Sequence, residues 1–242
     1  MIALNTHIFY SAGQTNALSF ATAYLQAQGC CFAASPDCRV THLLLDVPFK
    51  SADTLQDLLP QLSKDVTIVG GNLDVPGYCC IDLLQDPFYL AENADITAQG
   101  AVKLMAELLP VTFRDLPVLV IGWGRIGKCL AQLLRRMGCN VTVAARKESD
   151  RAMLVALGYD AVSLPLKAEL SGYRVILNTV PAPVVTDIQL TGCCPQCLKI
   201  ELASKPGLIG NNVINGRALP NRFAPESSGQ LIGRSILRLC GP

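Results

Sequence analysis

Short apolar runs, bounded by proline and glycine, alternate along this chain with stretches of helical period. Residues 15–28 put Leu18, Ala21 and Leu25 on one face, the spacing by which a helix buries a stripe. Strands are expected at 7–10, 30–33, 40–47 and 66–69, with a helix at 51–63. Residues 78–84 read as a short helix, 86–90 as an extended piece and 94–109 as a long helix. Beyond these come a strand at 117–121, a helix at 128–137, a strand at 141–145 and a helix at 149–157. Strands at 173–177, 198–202 and 213–215 follow, and then a closing helix at 227–239. Strand and helix alternating at this pace mean βαβ units and mainly parallel sheets.

The most informative stretch is Gly122-Trp123-Gly124-Arg125-Ile126-Gly127, which follows an apolar strand and opens a helix. In that context the three glycines have separate tasks. Gly122 makes the tight turn, Gly124 lets the backbone approach a pyrophosphate, and Gly127 lets the helix pack close to the sheet. The helix start then offers free N–H groups to the phosphates. At the end of the next strand, where a carboxylate would accept from the ribose 2′-OH of NAD, the chain has Arg146, Lys147 and Ser149. Two cations in place of a carboxylate suit the 2′-phosphate of NADP, with NAD as the alternative.

The expected fold class is therefore α/β, with two α/β domains and a cleft between them. Residues 1–92 form an N-terminal domain for substrate or partner. Residues 93–242 form a Rossmann-type domain, a doubly wound parallel sheet with connecting and C-terminal helices. The closing helix is also placed to pack back on the first half.

Composition narrows the classes. Half of the 242 residues are hydrophobic and the net charge is +1, which argues against a nucleic-acid protein held by a basic face. No apolar run is long enough for a membrane span, and the first residues lack the pattern of a secretory signal, so a cytoplasmic protein is expected. Eleven cysteines fall largely inside apolar runs and read as small buried hydrophobes. Cys194-Pro195-Gln196-Cys197 is an isolated C-x-x-C, and no metal is expected there because zinc needs two further ligands.

Ligands of open α/β sheets sit beyond the carboxyl ends of the strands. Asn178-Thr179-Val180-Pro181 and the Ser204 loop lie at such ends, as does Gly70-Gly71-Asn72 in the first half. Asn178, Thr179, Val180 and Ser204 are thus candidates to flank the nicotinamide, with turn capping as the plainer role for Asn178 and Ser204. Substrate chemistry is placed on polar groups at helix starts, chiefly Thr97, Gln99 and Ser227, with Glu226 and Ser228 nearby. Lys50 and Arg222 could bind a carboxylate, and His7 and His42 read as structural.

These segments together resemble the A subunit of dipicolinate synthase. The resemblance rests on the stretch 120–127, on Ala144-Ala145-Arg146, on 177–181, on 201–207 and on Ala224-Pro225-Glu226-Ser227-Ser228-Gly229. It extends from about residue 93 to the end. It implies NADP-linked oxidation of a dihydrodipicolinate-type dicarboxylate to dipicolinate during sporulation, in partnership with a flavoprotein-like B subunit. A homo-oligomer is left open. Gln99 stands where the family has Glu, Leu208 replaces the second glycine of a Pro-Gly-Gly, and the first half is shorter than the family's. Two rival readings are another small-acid dehydrogenase, of the shikimate or 2-hydroxyacid type, and a degenerate NADP-binding regulatory subunit.

Overall fold

The computed structural model describes residues 7–50, 52–166 and 169–241. Two compact units emerge: Met1–Asn93 with Pro220–Pro242, and Ala94–Leu219.

The first unit holds a five-stranded sheet in the order β2-β1-β3-β4-β5, all parallel. The strands are β1 (Ile8–Ser11), β2 (Cys31–Phe32), β3 (His42–Leu44), β4 (Thr67–Gly70) and β5 (Cys79–Asp82). Helix α1 (Asn16–Ala27) buries Ala17, Leu18, Ala21 and Leu25, the face that its apolar spacing predicts. Helix α2 (Ala52–Leu58) follows β3. The final helix, α8 (Pro225–Cys240), packs along α1. Glycines permit this approach: a Cβ on Gly229 would lie 2.5 Å from Ala17 O, and one on Gly233 2.5 Å from the Tyr24 ring. Arg234 bridges Glu92 at 2.6 Å, and Arg238 bonds Asp86. The C-terminal residues are therefore grouped with the first unit, where the sequence division had placed them with the second.

Two local expectations are corrected. Residues 78–84 are not a helix: Cys79–Asp82 pairs in register with Thr67–Gly70 as β5, and a single 3-10 turn, Leu83–Gln85, follows. So short an apolar run has no decisive period of its own, and the open edge of β4 takes it up. Nor are residues 86–90 extended. Helix α3 (Pro87–Leu108) starts there, because Asp86 accepts the Tyr89 N–H at 2.7 Å and Pro87 occupies the first helical position.

The second unit holds six parallel strands in the order β11-β10-β9-β6-β7-β8. These are β6 (Pro117–Ile121), β7 (Asn140–Ala145), β8 (Asp160–Ser163), β9 (Val175–Asn178), β10 (Leu198–Glu201) and β11 (Val213–Asn215). Numbered within the unit, the order is that of a doubly wound Rossmann sheet, which changes direction between β6 and β9. Val118, Leu119, Val120 and Ile121 are wholly buried, as a central strand covered on both faces requires. Helix α4 (Arg125–Arg136) buries Leu130, Ala131 and Leu134 and ends in Arg135 and Arg136, where cations favour the negative end of the dipole. Helix α5 (Glu148–Ala156) leads to β8, the short helix α6 (Asp187–Thr191) follows β9, and α7 (Leu219–Phe223) begins at the last residue of this unit and continues into the first. Neither β8, α6 nor α7 is evident in the sequence pattern, each being too short to show a period. Among the described residues no helix is long and apolar enough to cross a membrane.

Candidate dinucleotide site

The switch point of the second sheet carries the glycine loop. Gly122 has φ +106°, and its N–H bonds Ala144 O at 2.9 Å. A Cβ there would strike Thr179 Oγ1 at 2.4 Å, so both conformation and space demand glycine. A Cβ on Gly127 would lie 2.1 Å from Gly122 O, since α4 packs directly on the turn. Gly124 differs: among the described residues nothing lies within 4 Å of its Cβ position. It caps α4 without a side-chain bond, and the first helical N–H bond in the run is Lys128 N to Gly124 O at 2.9 Å. The first turn of α4 thus has no side-chain cap, with Gly124 and Arg125 exposed, Ile126 half-buried and Gly127 buried, a helix start of the kind a pyrophosphate uses. This fits a dinucleotide. Trp123, half-buried, packs edge-on to Tyr159 at 6.0 Å and lies 5.8 Å from Lys128 Nζ.

The neighbouring strand ends complete the rim. Thr179 gives both its N–H and its Oγ1 to Ile121 O, each at 2.9 Å, and so ties the β9 end to the glycine strand. Asn178 is fully buried. Its Nδ2 donates to Val180 O at 2.9 Å and to the Glu201 carboxylate at 2.8 and 3.0 Å, while its Oδ1 accepts from Val180 N at 3.0 Å. With its amide engaged in this way, Asn178 shapes the loop at the end of β9, the plainer of the two roles expected of it. Val180 is half-buried and Ser204 exposed.

Glu201 is the residue that sequence reasoning missed. It is 4% exposed, and beyond Asn178 it accepts from Ala203 N (2.9 Å), Gly207 N (2.7 Å) and Leu208 N (2.9 Å). One carboxylate thereby folds the whole 203–208 loop. Its only signal in the sequence is a charge ending an apolar strand. Leu208, where the resemblance expects glycine, is buried and takes part through its backbone.

Arg146 and Lys147 are exposed at the end of β7, and among the described residues no salt bridge engages them. Thr97 and Gln99, two residues apart on α3, do not share a face: Thr97 is buried, and Gln99 is exposed with its Nε2 on Asp95 at 2.8 Å. Ser227 is exposed in the first turn of α8, and Ser228 is buried there, its Oγ without a partner among the described residues. Lys50 is exposed, and the Arg222 guanidinium lies over the Phe223 ring at 4.6 Å.

His42 and the Cys194–Cys197 pair are engaged within the fold. His42 is buried with Nδ1 2.9 Å from Thr41 Oγ1, and burial depresses its pKa to about 4. Cys194 and Cys197 close a turn through Cys197 N to Cys194 O at 2.9 Å, and burial pushes the Cys197 thiol up to about 12. A cavity of about 320 Å³, with Arg174, Cys197 and Lys199 in its wall, lies at the opposite ends of β9 to β11 from the glycine loop.

In the first unit the matching position is filled. Asp46 accepts from Gln14 N (2.9 Å), Thr15 N (3.1 Å) and Thr15 Oγ1 (2.6 Å), and a Cβ on Gly13 would lie 2.5 Å from its Oδ1. An internal carboxylate holds the start of α1.

Residues 90–187 match the NAD binding domain of D-isomer specific 2-hydroxyacid dehydrogenases. The second unit thus carries an NAD-binding domain, which indicates a nicotinamide dinucleotide. The A subunit of dipicolinate synthase of Bacillus subtilis (strain 168) is 26% identical over 156 residues. That match takes in 61% of this chain and 52% of the relative, about half its length. The chain resembles the dipicolinate synthase A subunit. Its counterpart in the crystal structure from Bacillus subtilis superposes with a TM-score of 0.82 at 19% identity, over 99% of this chain and 97% of that one. The one from Bacillus halodurans gives 0.81 at 19% identity, over 98% of each chain. At that identity the structural likeness shows a shared fold.

Proposed function

We propose that this chain is an NADP-dependent oxidoreductase of the dipicolinate synthase A type. Its substrate would be a dihydrodipicolinate-type dicarboxylate and its product dipicolinate. The observation that carries this reading is the open, uncapped start of α4 at Gly124, followed at the next strand end by exposed Arg146 and Lys147. When bound, the nicotinamide supplies a hydride acceptor. The chain's own residues bind and orient. The N–H groups of Arg125, Ile126 and Gly127 hold the pyrophosphate, and Arg146 and Lys147 the 2′-phosphate. Thr179, Val180 and Ser204 border the nicotinamide half, with Asn178 and Glu201 holding their loops in place. Ser227 is suited to bind a substrate carboxylate. Gln99 cannot act as a carboxylate base, so a role for it or for Thr97 is limited to hydrogen bonding. A flavoprotein-like B subunit, a place in sporulation and a cytoplasmic setting belong to this reading.

The match of residues 90–187 to 2-hydroxyacid dehydrogenases favours a second reading, a different small-acid dehydrogenase. The purified chain, alone and with a candidate B subunit, is assayed with NADP or NAD against dihydrodipicolinate, shikimate and 2-hydroxy acids. Formation of dipicolinate with NADPH appearing is expected. Turnover confined to 2-hydroxy acids or shikimate would transfer the assignment to the second reading. Dinucleotide binding without turnover on any of them would leave a regulatory subunit.

A further inference from the structure

Arg151 has no part in the site described so far. It is half-buried in α5, and its N–H bonds Lys147 O at 3.2 Å. Its Nη1 donates to two successive carbonyls, Ala145 O at 3.0 Å and Arg146 O at 2.8 Å. These carbonyls belong to the last residue of β7 and the first beyond it. With both turned toward one nitrogen, the bend out of the sheet is held, and so is the point from which the Arg146 side chain departs. Nε and Nη2 carry the other guanidinium N–H groups and have no acceptor among the described residues. Lys147 caps α5 without a side-chain bond, so the first N–H groups of that helix are also uncommitted. Glu148 and Asp150 are the acids of this first turn, and among the described residues neither forms a salt bridge to Arg146, Lys147 or Arg151.

The geometry points to Arg151 as a determinant of dinucleotide choice. It holds the β7–α5 bend in the form that presents Arg146, and its remaining N–H groups join Arg146 and Lys147 as donors to the adenosine 2′-phosphate. A guanidinium suits this because one planar fork can bridge two carbonyls and still donate elsewhere, which an ammonium cannot match in geometry. The inference rests on the NADP reading above.

Wild type, Arg151→Gln, Arg151→Lys and Arg146→Gln are titrated with NADPH, NADH, 2′,5′-ADP and 5′-AMP. Calorimetry gives the affinities, and emission from Trp123, the one tryptophan of the chain, gives a second readout at the glycine loop. Arg151→Gln is expected to weaken NADPH and 2′,5′-ADP about tenfold or more, with NADH and 5′-AMP within about twofold. Arg151→Lys keeps the charge without the fork and recovers only part of the loss. It also decides the matter if the glutamine variant fails to fold. Equal weakening of NADPH and NADH would make Arg151 a pin of the bend alone, and unchanged NADPH affinity would remove it from the site. Either result overturns the inference. Wild type binding NADPH no tighter than NADH is a separate outcome, which removes the cofactor reading before any variant is compared.

Discussion

Each unit begins its sheet with the same move, a strand turning through glycine into a helix, yet the two helix starts are used in opposite ways. In the first unit Thr15 caps α1, and the Asp46 carboxylate occupies the N–H groups of Gln14 and Thr15. In the second, Gly124 caps α4 with no side chain, and among the described residues nothing lies within 4 Å of its Cβ position. A helix start attracts anions in either case. Whether it becomes a ligand site depends on whether the chain supplies that anion itself. The first unit meets its helix start with a carboxylate of its own; the second leaves its helix start uncapped by any side chain, which is the basis of the proposed cofactor site.

The largest change expected is in the second unit's rim. Glu201→Ala removes the acceptor shared by Asn178 Nδ2 and the N–H groups of Ala203, Gly207 and Leu208. A loss of about 3–5 kcal/mol in urea unfolding is expected, with weakened dinucleotide binding. A loss below about 1 kcal/mol would show that water or other groups replace the carboxylate.

Acid separates the units next. Both histidines of the chain, His7 and His42, lie in the first. The folded-state pKa of His42, about 4, lies below its ordinary 6.5, so over that interval the unfolded chain binds more protons. Stability therefore falls as pH drops from about 6.5 toward 4, by up to about 3 kcal/mol. Unfolding measured against pH should lose this slope in His42→Phe. A slope that persists unchanged would place its origin elsewhere.

Gly124→Ala sharpens the contrast between stability and function. Among the described residues the added methyl meets nothing within 4 Å, so the melting temperature should hold within about 2 °C, while a pyrophosphate loses its approach and NADPH affinity drops about tenfold or more. The smallest effect is expected from Asp46→Ala, which opens the start of α1. A cost of about 1–2 kcal/mol, with NADPH affinity unchanged, would match a purely structural role. A dinucleotide bound more weakly by this variant would contradict the division of labour.

Local pattern reached far in the second unit. A buried apolar strand, three spaced glycines and an amphipathic helix are adjacent in the chain, so their joint meaning is readable without knowing what else they touch. Arg146 was legible for the same reason, because its place is counted along one strand. The start of α3 was not, although Asp86-Pro87 carries a helix-start signal, because Phe88, Tyr89 and Leu90 mimic a strand. The Asn178–Glu201 network joins residues distant in sequence, and the two carbonyls held by Arg151 follow from how a helix folds back on its preceding strand.

By itself the sequence determined the parallel α/β architecture, the glycine turn from strand into helix and the basic residues at the neighbouring strand end, since each depends on contacts within one βαβ unit. Only the tertiary structure decided that Asp46 closes one helix start while Gly124 leaves the other open, and that Glu201 shapes the rim. Those outcomes depend on which side chain arrives from a distant part of the chain to meet an unsatisfied backbone group, and burial selects that partner only once the sheets have formed.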